Sequence, residues 1–435
     1  MPDSYEEIIV THAPHFSDLS LYHKGQSREI RRVPGVPHVL LQKLVPSVFS
    51  LEAKKAVPLA GIDEVRNALH QVFDTRLKEK GIKTSWVYAS NGLSVITEEK
   101  MSPLEVVVKS RHVGSPKHQY LNMEEFPTRE GARIASGSLI KPYVRFDWRN
   151  PLPTEDACMP DGLANEFIDC VTAKKTALNA FFILQEVLKE VEFELVDICF
   201  FMNEAGDVIC GEVSTDNTRI NYIGSDPILK SLFSERDLQA RLWQAKILLH
   251  QLQHRAAPPL RLILSGPFCT GKTTLIQKIT EAFGIPKLID ESTRPMRKGE
   301  FPEFPYKFIS VENFLDRKEA GAYHEWVFFG GNYYGVPREK LGVHRWSMDL
   351  LSASWAQYQG HVEGVIGIFI SPPSEAELIR RATLRGDSLD GIAKRVASAK
   401  TESSDGYPHI LGGEKSVEEK FEAIKRIMYA YMASN

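Results

Sequence analysis

The sequence predicts two folds in tandem: an α+β domain, then an α/β domain whose parallel sheet carries a phosphate-binding loop. Three observations support this. Gly266-Pro267-Phe268-Cys269-Thr270-Gly271-Lys272-Thr273 reads G-x-x-x-x-G-K-[ST], with a strand-like run (Leu260, Leu262, Ile263, Leu264) before it and a helical run, Thr274 to Phe283, after it. Beyond this loop strand and helix alternate, with a strand expected at 365–370 and a last helix at 417–431, as in a parallel sheet flanked by helices. Before it, short β-type runs cluster around two long amphipathic segments.

At 435 residues the chain has room for two or three cores. Its 43% hydrophobic and 25% charged residues are ordinary for a globular protein. A net charge of -3 argues against a general nucleic-acid-binding surface and for small-molecule partners. The five cysteines, Cys158, Cys170, Cys199, Cys210 and Cys269, form no C-x-x-C pair, which favours a reducing compartment over zinc or a disulfide framework. No apolar run approaches the length of about 18 residues needed to span a membrane, and the acidic, polar start does not read as a signal peptide. The expectation is a cytoplasmic protein with no membrane partner, its oligomeric state left open.

Taken in order, residues 1–20 lack periodicity and are expected to be an irregular lead-in. β-type runs follow at Val39-Leu40-Leu41 and Val48-Phe49. Residues 62–80 read as an amphipathic helix through Val65, Leu69, Val72 or Phe73, and Arg76 or Leu77, stopped by Gly81. Strands are expected at 86–89, 93–96 and 104–108, then a polar glycine-containing loop over 109–117. Residues 163–190 read as one long helix burying Phe167, Val171, Leu178, Phe181 and Leu188. Strands at 193–202 and 208–213 flank a turn over 203–207, a hairpin. Ser234, with Asp237 three residues on, reads as the N-cap of a helix ended by Ala256-Ala257-Pro258-Pro259. The domains are therefore expected at 21–233 and 260–435, joined by a helical linker over 234–259.

The loop chemistry is direct. Gly266 and Gly271 let backbone N–H groups turn toward a polyphosphate, and the following helix aims its positive N-terminus at the same anion. Lys272 reaches the β- and γ-phosphates of ATP, Thr273 offers a hydroxyl to Mg²⁺, and Thr274 opens the helix. Downstream, Arg294 and Arg297 present guanidinium forks suited to a phosphate. Tyr306 and Tyr334 offer phenolic hydroxyls, and Glu325 an acceptor for the N–H groups of a base.

Over residues 260–430 these features resemble guanylate kinase. The motifs are S-G-P-x-x-x-G-K-T-T, S-T-R-P-x-R-x-G-E, Y-x-F-I-S-x-x-x-F, H-E-W, G-N-Y-Y-G and I-S-P-P-S. The resemblance implies transfer of the ATP γ-phosphoryl group to a nucleoside 5′-monophosphate. Arg294, Arg297, Tyr306 and Tyr334 would hold the acceptor phosphate and Glu325 would contact the base. Arg381, Arg385 and Arg395, in R-R-x-x-x-R-G and K-R-V, match the family's lid and catalytic arginines. Two departures stand out. Val336 occupies the place of the family's Ser or Thr, whose hydroxyl helps read guanine, and the family's D-x-D is reduced to Asp349 in Ser347-Met348-Asp349-Leu350.

Residues 20–222 are similar to SAICAR synthetase, a ligase that uses ATP to join a nucleotide carboxylate to the amine of aspartate. The likeness runs through Gly25-Gln26-Ser27-Arg28-Glu29-Ile30, Lys80-Gly81-Ile82-Lys83-Thr84, 105–115 and Gly211-Glu212-Val213-Ser214-Thr215-Asp216-Asn217-Thr218-Arg219. It implies phosphate binding by Lys109, Arg111 and Ser115, substrate contacts from Asp216 and Arg219, and Glu212 as the remaining metal carboxylate. Gln26, Cys199, Phe201 and Gly211 stand where the family carries lysines and acids. Two functions stay open at this point. One is a bifunctional nucleotide-metabolism enzyme, kinase plus ligase, using ATP, Mg²⁺ and aspartate or another amine. The other is a regulatory nucleotide-binding protein built from the same folds.

Overall fold

The computed structural model describes residues 4–25, 27–50, 55–113, 122–148, 157–225, 238–255, 258–296, 306–384 and 389–434. The chain divides into two compact units, Met1–Ala257 and Pro258–Asn435.

The first unit opens with a helix, α1 (Tyr5–His12), capped by the Ser4 hydroxyl, and a 3-10 turn over Ala13–Asp18. The expected irregular lead-in is thus helical. The reason is tertiary: Ile8, Ile9, Phe16 and Leu19 bury against Val33 and against Leu41, Leu93 and Val95 of the sheet behind. That sheet is antiparallel. It contains β1 (Leu21–Lys24), β2 (Arg28–Arg32) and β3 (Val39–Leu44), and a hairpin of β4 (Ser47–Ser50) and β5 (Lys55–Pro58) follows in the chain. After α2 (Ile62–Glu79) come β6 (Lys83–Thr84), β7 (Trp86–Ser90) and β8 (Leu93–Thr97), and the sheet order is β1-β2-β3-β8-β7. Helix α2 buries Val65 and Leu69 as its spacing predicts, and of the open alternatives it buries Phe73 and Leu77; Arg66, His70 and Asp74 are buried beside them.

The second sheet is built on two 11-residue strands, β9 (Met101–Arg111) and β12 (Phe193–Asn203), paired antiparallel. β10 (Leu139–Trp148) and β11 (Ala157–Met159) extend one side; β13 (Val208–Ile209) and β14 (Thr218–Tyr222) pair with β12. The loop expected from residue 109 therefore starts three residues later, at 112, because Lys109, Ser110 and Arg111 are still on β9. The expected helix 163–190 is two: α3 (Asp161–Ala164) and α4 (Cys170–Lys189). Asp169 restarts the helix by accepting from Val171 and Thr172 N–H at 3.0 Å each. This resets the buried face. Ala173, Ala177 and Ala180 pack inward beside Phe181 and Leu188, which are buried as expected, while Val171 is 80% exposed. The expected strand 208–213 stops at Ile209. Helix α5 (Leu238–His254) packs on α2 and so belongs to this unit; Ser234 and Asp237 lie outside the described residues.

The second unit holds a parallel sheet in the order β20-β15-β21-β22, from β15 (Leu260–Ser265), β20 (Arg345–Leu350), β21 (Val365–Ile370) and β22 (His409–Leu411). All six residues of β15 are buried, as a central parallel strand requires. Helix α6 (Lys272–Phe283) follows it. A smaller mixed sheet, β17-β16-β19-β18, comprises β16 (Glu291–Ser292), β17 (Lys307–Phe308), β18 (Tyr323–Phe329) and β19 (Asn332–Pro337), with α7 (Val311–Glu319) and α8 (Arg338–Leu341) between or beyond them. The chain closes with α9 (Glu375–Leu384), α10 (Leu389–Ala399) and α11 (Val417–Ser434). Among the described residues no helix is long and apolar enough to cross a membrane.

Candidate functional site

The loop leaving β15 is shaped by close packing. Gly266 has φ +128°, and a Cβ there would lie 2.2 Å from the Ile370 carbonyl oxygen, so no other residue fits. Gly271, at φ +94°, starts α6. The Thr270 hydroxyl donates to Pro267 O at 2.8 Å. Lys272 folds back over the loop, donating from Nζ to Gly266 O at 2.6 Å and Pro267 O at 2.7 Å. From α11, the buried Lys420 ammonium donates to Thr270 O at 3.3 Å and Gly413 O at 3.0 Å. Arg381 on α9 donates from Nη1 to Cys269 O at 3.2 Å and from Nε to Glu377 at 2.7 Å. The Arg395 guanidinium sits 6.0 Å from the Phe268 ring centre.

This loop forms one wall of a cavity of about 680 Å³. The structure brings Gly266, Gly271, Lys272, Thr273, Thr274, Arg294, Tyr306, Glu325, Tyr334, Asp349, Arg381 and Arg395 to its lining, although they span well over a hundred residues of chain. Arg297 and Arg385 lie outside the described residues. The cavity is bipolar. Lys272, Arg294, Arg381 and Arg395 supply cations, while Asp290, Glu325 and Asp349 supply acids together with the apolar Val336, Leu350 and Leu351.

Arg294 is braced by its own neighbours: Nη1 donates to Pro295 O at 3.0 Å, and the guanidinium lies 5.1 Å from the Tyr306 ring centre and 5.0 Å from that of Phe308. Tyr306 and Tyr334 meet edge to face at 5.6 Å. Glu325 is buried. It accepts from the Ser354 hydroxyl on one oxygen and from the Tyr358 hydroxyl, at 3.1 Å, on the other. Burial raises its pKa, and those two donors only partly offset the rise. Asp349 pairs with Lys287 at 3.1 Å; although burial works against its charge, Lys287 and Lys272 hold its pKa below the usual carboxylate value.

Asp290, Ser354, Tyr358 and Lys420 were not singled out from sequence. Asp290 precedes the S-T-R-P motif by two residues, but nothing local marks it. Its importance comes from the fold: it is 8% exposed, lines the cavity, and its Oδ1 has no hydrogen-bond partner.

The first-unit residues meet a different fate. Lys109 is 3% exposed on β9, donating to Val113 O at 2.6 Å and lying 3.9 Å from Asp197; burial lowers its pKa. Arg111 forks onto Glu194 at 2.8 and 3.1 Å and also reaches Gly137 O. Arg219 lies 3.4 Å from Asp197. Lys109 and Arg111 are therefore strand residues with internal partners, not arms of an open loop, and Ser115 lies outside the described residues. Glu212, expected as a metal carboxylate, is clasped by Arg66. The guanidinium donates Nε to Oε1 at 2.8 Å and Nη2 to Oε2 at 2.6 Å. Both oxygens thus already face a buried cation, which disfavours a metal there. Asp216 lies 3.6 Å from the same Arg66. The Cys199 thiol is raised well above its ordinary pKa by burial, with Glu105 and Asp197 adding to the rise.

Comparison with known proteins gives each unit relatives. The SAICAR synthetase family model matches residues 21–227 and the guanylate kinase model residues 259–431. A solved SAICAR synthetase (Type-2) in complex with ADP is 22% identical, covering 53% of this chain and 97% of that one, with a TM-score of 0.43. A guanylate kinase structure from Anaplasma phagocytophilum is 30% identical, covering 40% of this chain and 87% of that one, with a TM-score of 0.32. Guanylate kinase of Novosphingobium aromaticivorans is 36% identical over 183 residues, spanning 39% of this chain and 81% of the relative. That of Synechococcus sp. is 31% identical over 194 residues, 41% of this chain and 88% of the relative. The chain is a fusion of two nucleotide-metabolism domains, and through residues 259–431 it belongs to the guanylate kinase family.

Proposed function

We propose that the second unit transfers the γ-phosphoryl group of ATP to a nucleoside 5′-monophosphate. The observation that carries this reading is the bipolar cavity: a P-loop with Lys272 on one wall, and Arg294, Tyr306, Tyr334 and Glu325 on the other. Lys272 releases Gly266 O and Pro267 O to engage the β- and γ-phosphates. Arg294 and Arg297 hold the acceptor phosphate with the two tyrosines, while Glu325 and Asp349 face the nucleoside. Arg381, Arg385 and Arg395 neutralise charge on the transferring group, where such arginines act most strongly. Thr273 is exposed at the cavity end of α6, which fits Mg²⁺, an ion that keeps most of its waters and takes few protein ligands. When bound, that ion supplies charge neutralisation across the phosphate oxygens.

For the first unit the reading is a nucleotide-binding domain whose ligation chemistry is altered. Arg66 and Glu194 occupy two groups, Glu212 and Arg111, that the sequence assigns to ligands. Its amide-ligation activity, joining a carboxylated nucleotide to aspartate, is the second half of the test.

The experiment follows ADP release from ATP and Mg²⁺ over a panel of nucleoside monophosphates, and over carboxylated imidazole nucleotide plus aspartate, in the wild type and Lys272→Ala. Monophosphate-dependent release that drops at least 100-fold in Lys272→Ala is expected. Release that needs aspartate and survives the substitution would make the first unit a working ligase. Silence with every monophosphate, while ATP still binds, refutes the kinase and favours the regulatory binding protein.

A further inference from the structure

Lys420 holds its charge in an unfavourable place. It is 1% exposed and lies in the first turn of α11, the positive end of a helix, so burial and the helix dipole both work against a cation. Among the described residues its ammonium has no carboxylate partner and donates to two backbone carbonyls, Thr270 O and Gly413 O. The acids nearest in sequence are engaged elsewhere. Glu414 accepts from Ser374 N–H at 2.7 Å, and Glu419 from Ser416 N–H at 2.8 Å. A buried cation without a paired acid is costly, and its position under the phosphate-binding loop suggests what it is kept for.

The direction of the Thr270 carbonyl is informative. In a trans peptide the C=O of one residue and the N–H of the next point opposite ways. Thr270 and Gly271 line the cavity; Lys420 is not in the lining and reaches the loop from α11, whose Val417 packs 3.6 Å from where a Cβ on Gly271 would stand. A Thr270 carbonyl turned back to Lys420 therefore turns the Gly271 N–H forward, to the side where a phosphate enters. The ammonium also polarises this peptide. Density drawn to the carbonyl oxygen makes the N–H a stronger donor, because linked hydrogen bonds reinforce one another.

The support is rigid. A Cβ on Gly266 would lie 2.2 Å from Ile370 O and one on Gly413 2.2 Å from Ser371 O, so the chain leaving β21 is wedged against both the loop and the second partner of Lys420. Ser416 and Glu419 exchange hydrogen bonds in a capping box that fixes the turn carrying Lys420. Arg381 holds the preceding carbonyl, Cys269 O, but its side chain belongs to the cavity lining and is free to face a phosphate directly. Lys420 acts only through the peptide.

We propose that Lys420 is a positioning residue for the phosphoryl donor: through the Thr270–Gly271 peptide, and without touching the nucleotide, it aims and strengthens the Gly271 N–H that receives the polyphosphate of ATP. The inference rests on the kinase reading and adds to that site a cation acting from behind the loop.

Lys420→Met removes the charge at similar length, and Lys420→Arg keeps a charge. Lys420→Met is expected to weaken equilibrium binding of ADP with Mg²⁺, and to raise the KM for ATP, by tenfold or more. The KM for the best acceptor among GMP, IMP and AMP should change less than twofold, and Lys420→Arg should fall between wild type and Lys420→Met. In glycine-labelled wild-type protein the Gly271 amide proton should move downfield in the NMR spectrum when ADP and Mg²⁺ are added, and in Lys420→Met that movement should shrink by half or more. ADP binding unchanged in Lys420→Met, or donor and acceptor weakened alike, overturns the inference and leaves the kinase intact. So does a Gly271 signal that stays in place in the wild type, a result that needs no variant to fold. No turnover with any monophosphate, with ADP still bound, is instead failure of the kinase reading; ADP binding and the Gly271 signal then decide on Lys420.

Discussion

Glu212 in the first unit and Asp290 in the second are both buried acids, and they have opposite surroundings. Glu212 accepts two hydrogen bonds from Arg66 and one from Ser214. Burial alone would raise its pKa, but Arg66 overturns that and the value ends below the ordinary one. Asp290 has no such partner for Oδ1, and burial carries its pKa to about 8. An acid neutralised by its own fold acts as structure. An acid buried beside a cavity without such a partner keeps its proton instead. The residue type is silent on which case holds; the partner decides it.

The strongest way to break the comparison is to remove Glu212's partner. Arg66→Met strands a buried carboxylate and should cost about 3–5 kcal/mol in urea denaturation, and Arg66→Met/Glu212→Leu should recover most of it. If the single variant loses less than about 1 kcal/mol, Glu212 is not held as described.

The pH dependence of stability sharpens the contrast next. Asp290 titrates near 8 folded and near 4 unfolded. The folded state keeps its proton longer, so this contribution grows as pH falls through 8 and is complete near 4. Between about pH 5 and 7 the slope is about 1.4 kcal/mol per unit, or about 3 kcal/mol in all. Asp290→Asn should remove that slope and be most stabilising at high pH; an unchanged slope would mean that the carboxyl is well solvated.

His70 runs the other way. Buried on α2, with Nδ1 accepting Val213 N–H at 2.7 Å, it is lowered to about 4, chiefly by burial. The unfolded chain takes up the proton first, near 6.5, so stability falls as pH drops from 6.5 toward 4. Between pH 6 and 5 the loss is about 1.4 kcal/mol, opposing Asp290 and visible once Asp290→Asn is the background. His70→Gln should flatten it.

The smallest effect belongs to an exposed pair, Arg32 and Glu98, 3.1 Å apart. Arg32→Ala should change stability by less than about 0.5 kcal/mol, because solvent screens such pairs.

Much of the candidate site is legible in the sequence because its signals are local. Glycine, lysine and threonine at fixed spacing between a strand and a helix determine the loop, since the φ values and the helix start depend on neighbours in the chain. Strands 260–265 and 365–370 were readable for a similar reason: a strand buried on both faces is an apolar run. Where local signals mislead, the cause is packing. Residues 5–18 show no convincing period, yet fold as helix because Ile8, Ile9 and Phe16 find a sheet to cover. Residues 163–190 look continuous, yet break where Asp169 caps a new helix. Lys109 looks like the start of a phosphate loop, yet is the buried end of a strand.

By itself, then, the sequence determined the two fold classes, the phosphate-binding loop and the set of cations and tyrosines that belong with it. Only the tertiary structure decided which buried acids are paired with a cation and which are not. The Arg66–Glu212 contact joins residues 146 apart, and Lys420 supports the loop from 150 residues away. Asp290 acquires its neighbour Val336 from the register of two short strands. The physical reason is common to all three. A charge's role depends on what lies within a few ångströms of it, and in these places the fold, not the order of residues, brings the neighbours together.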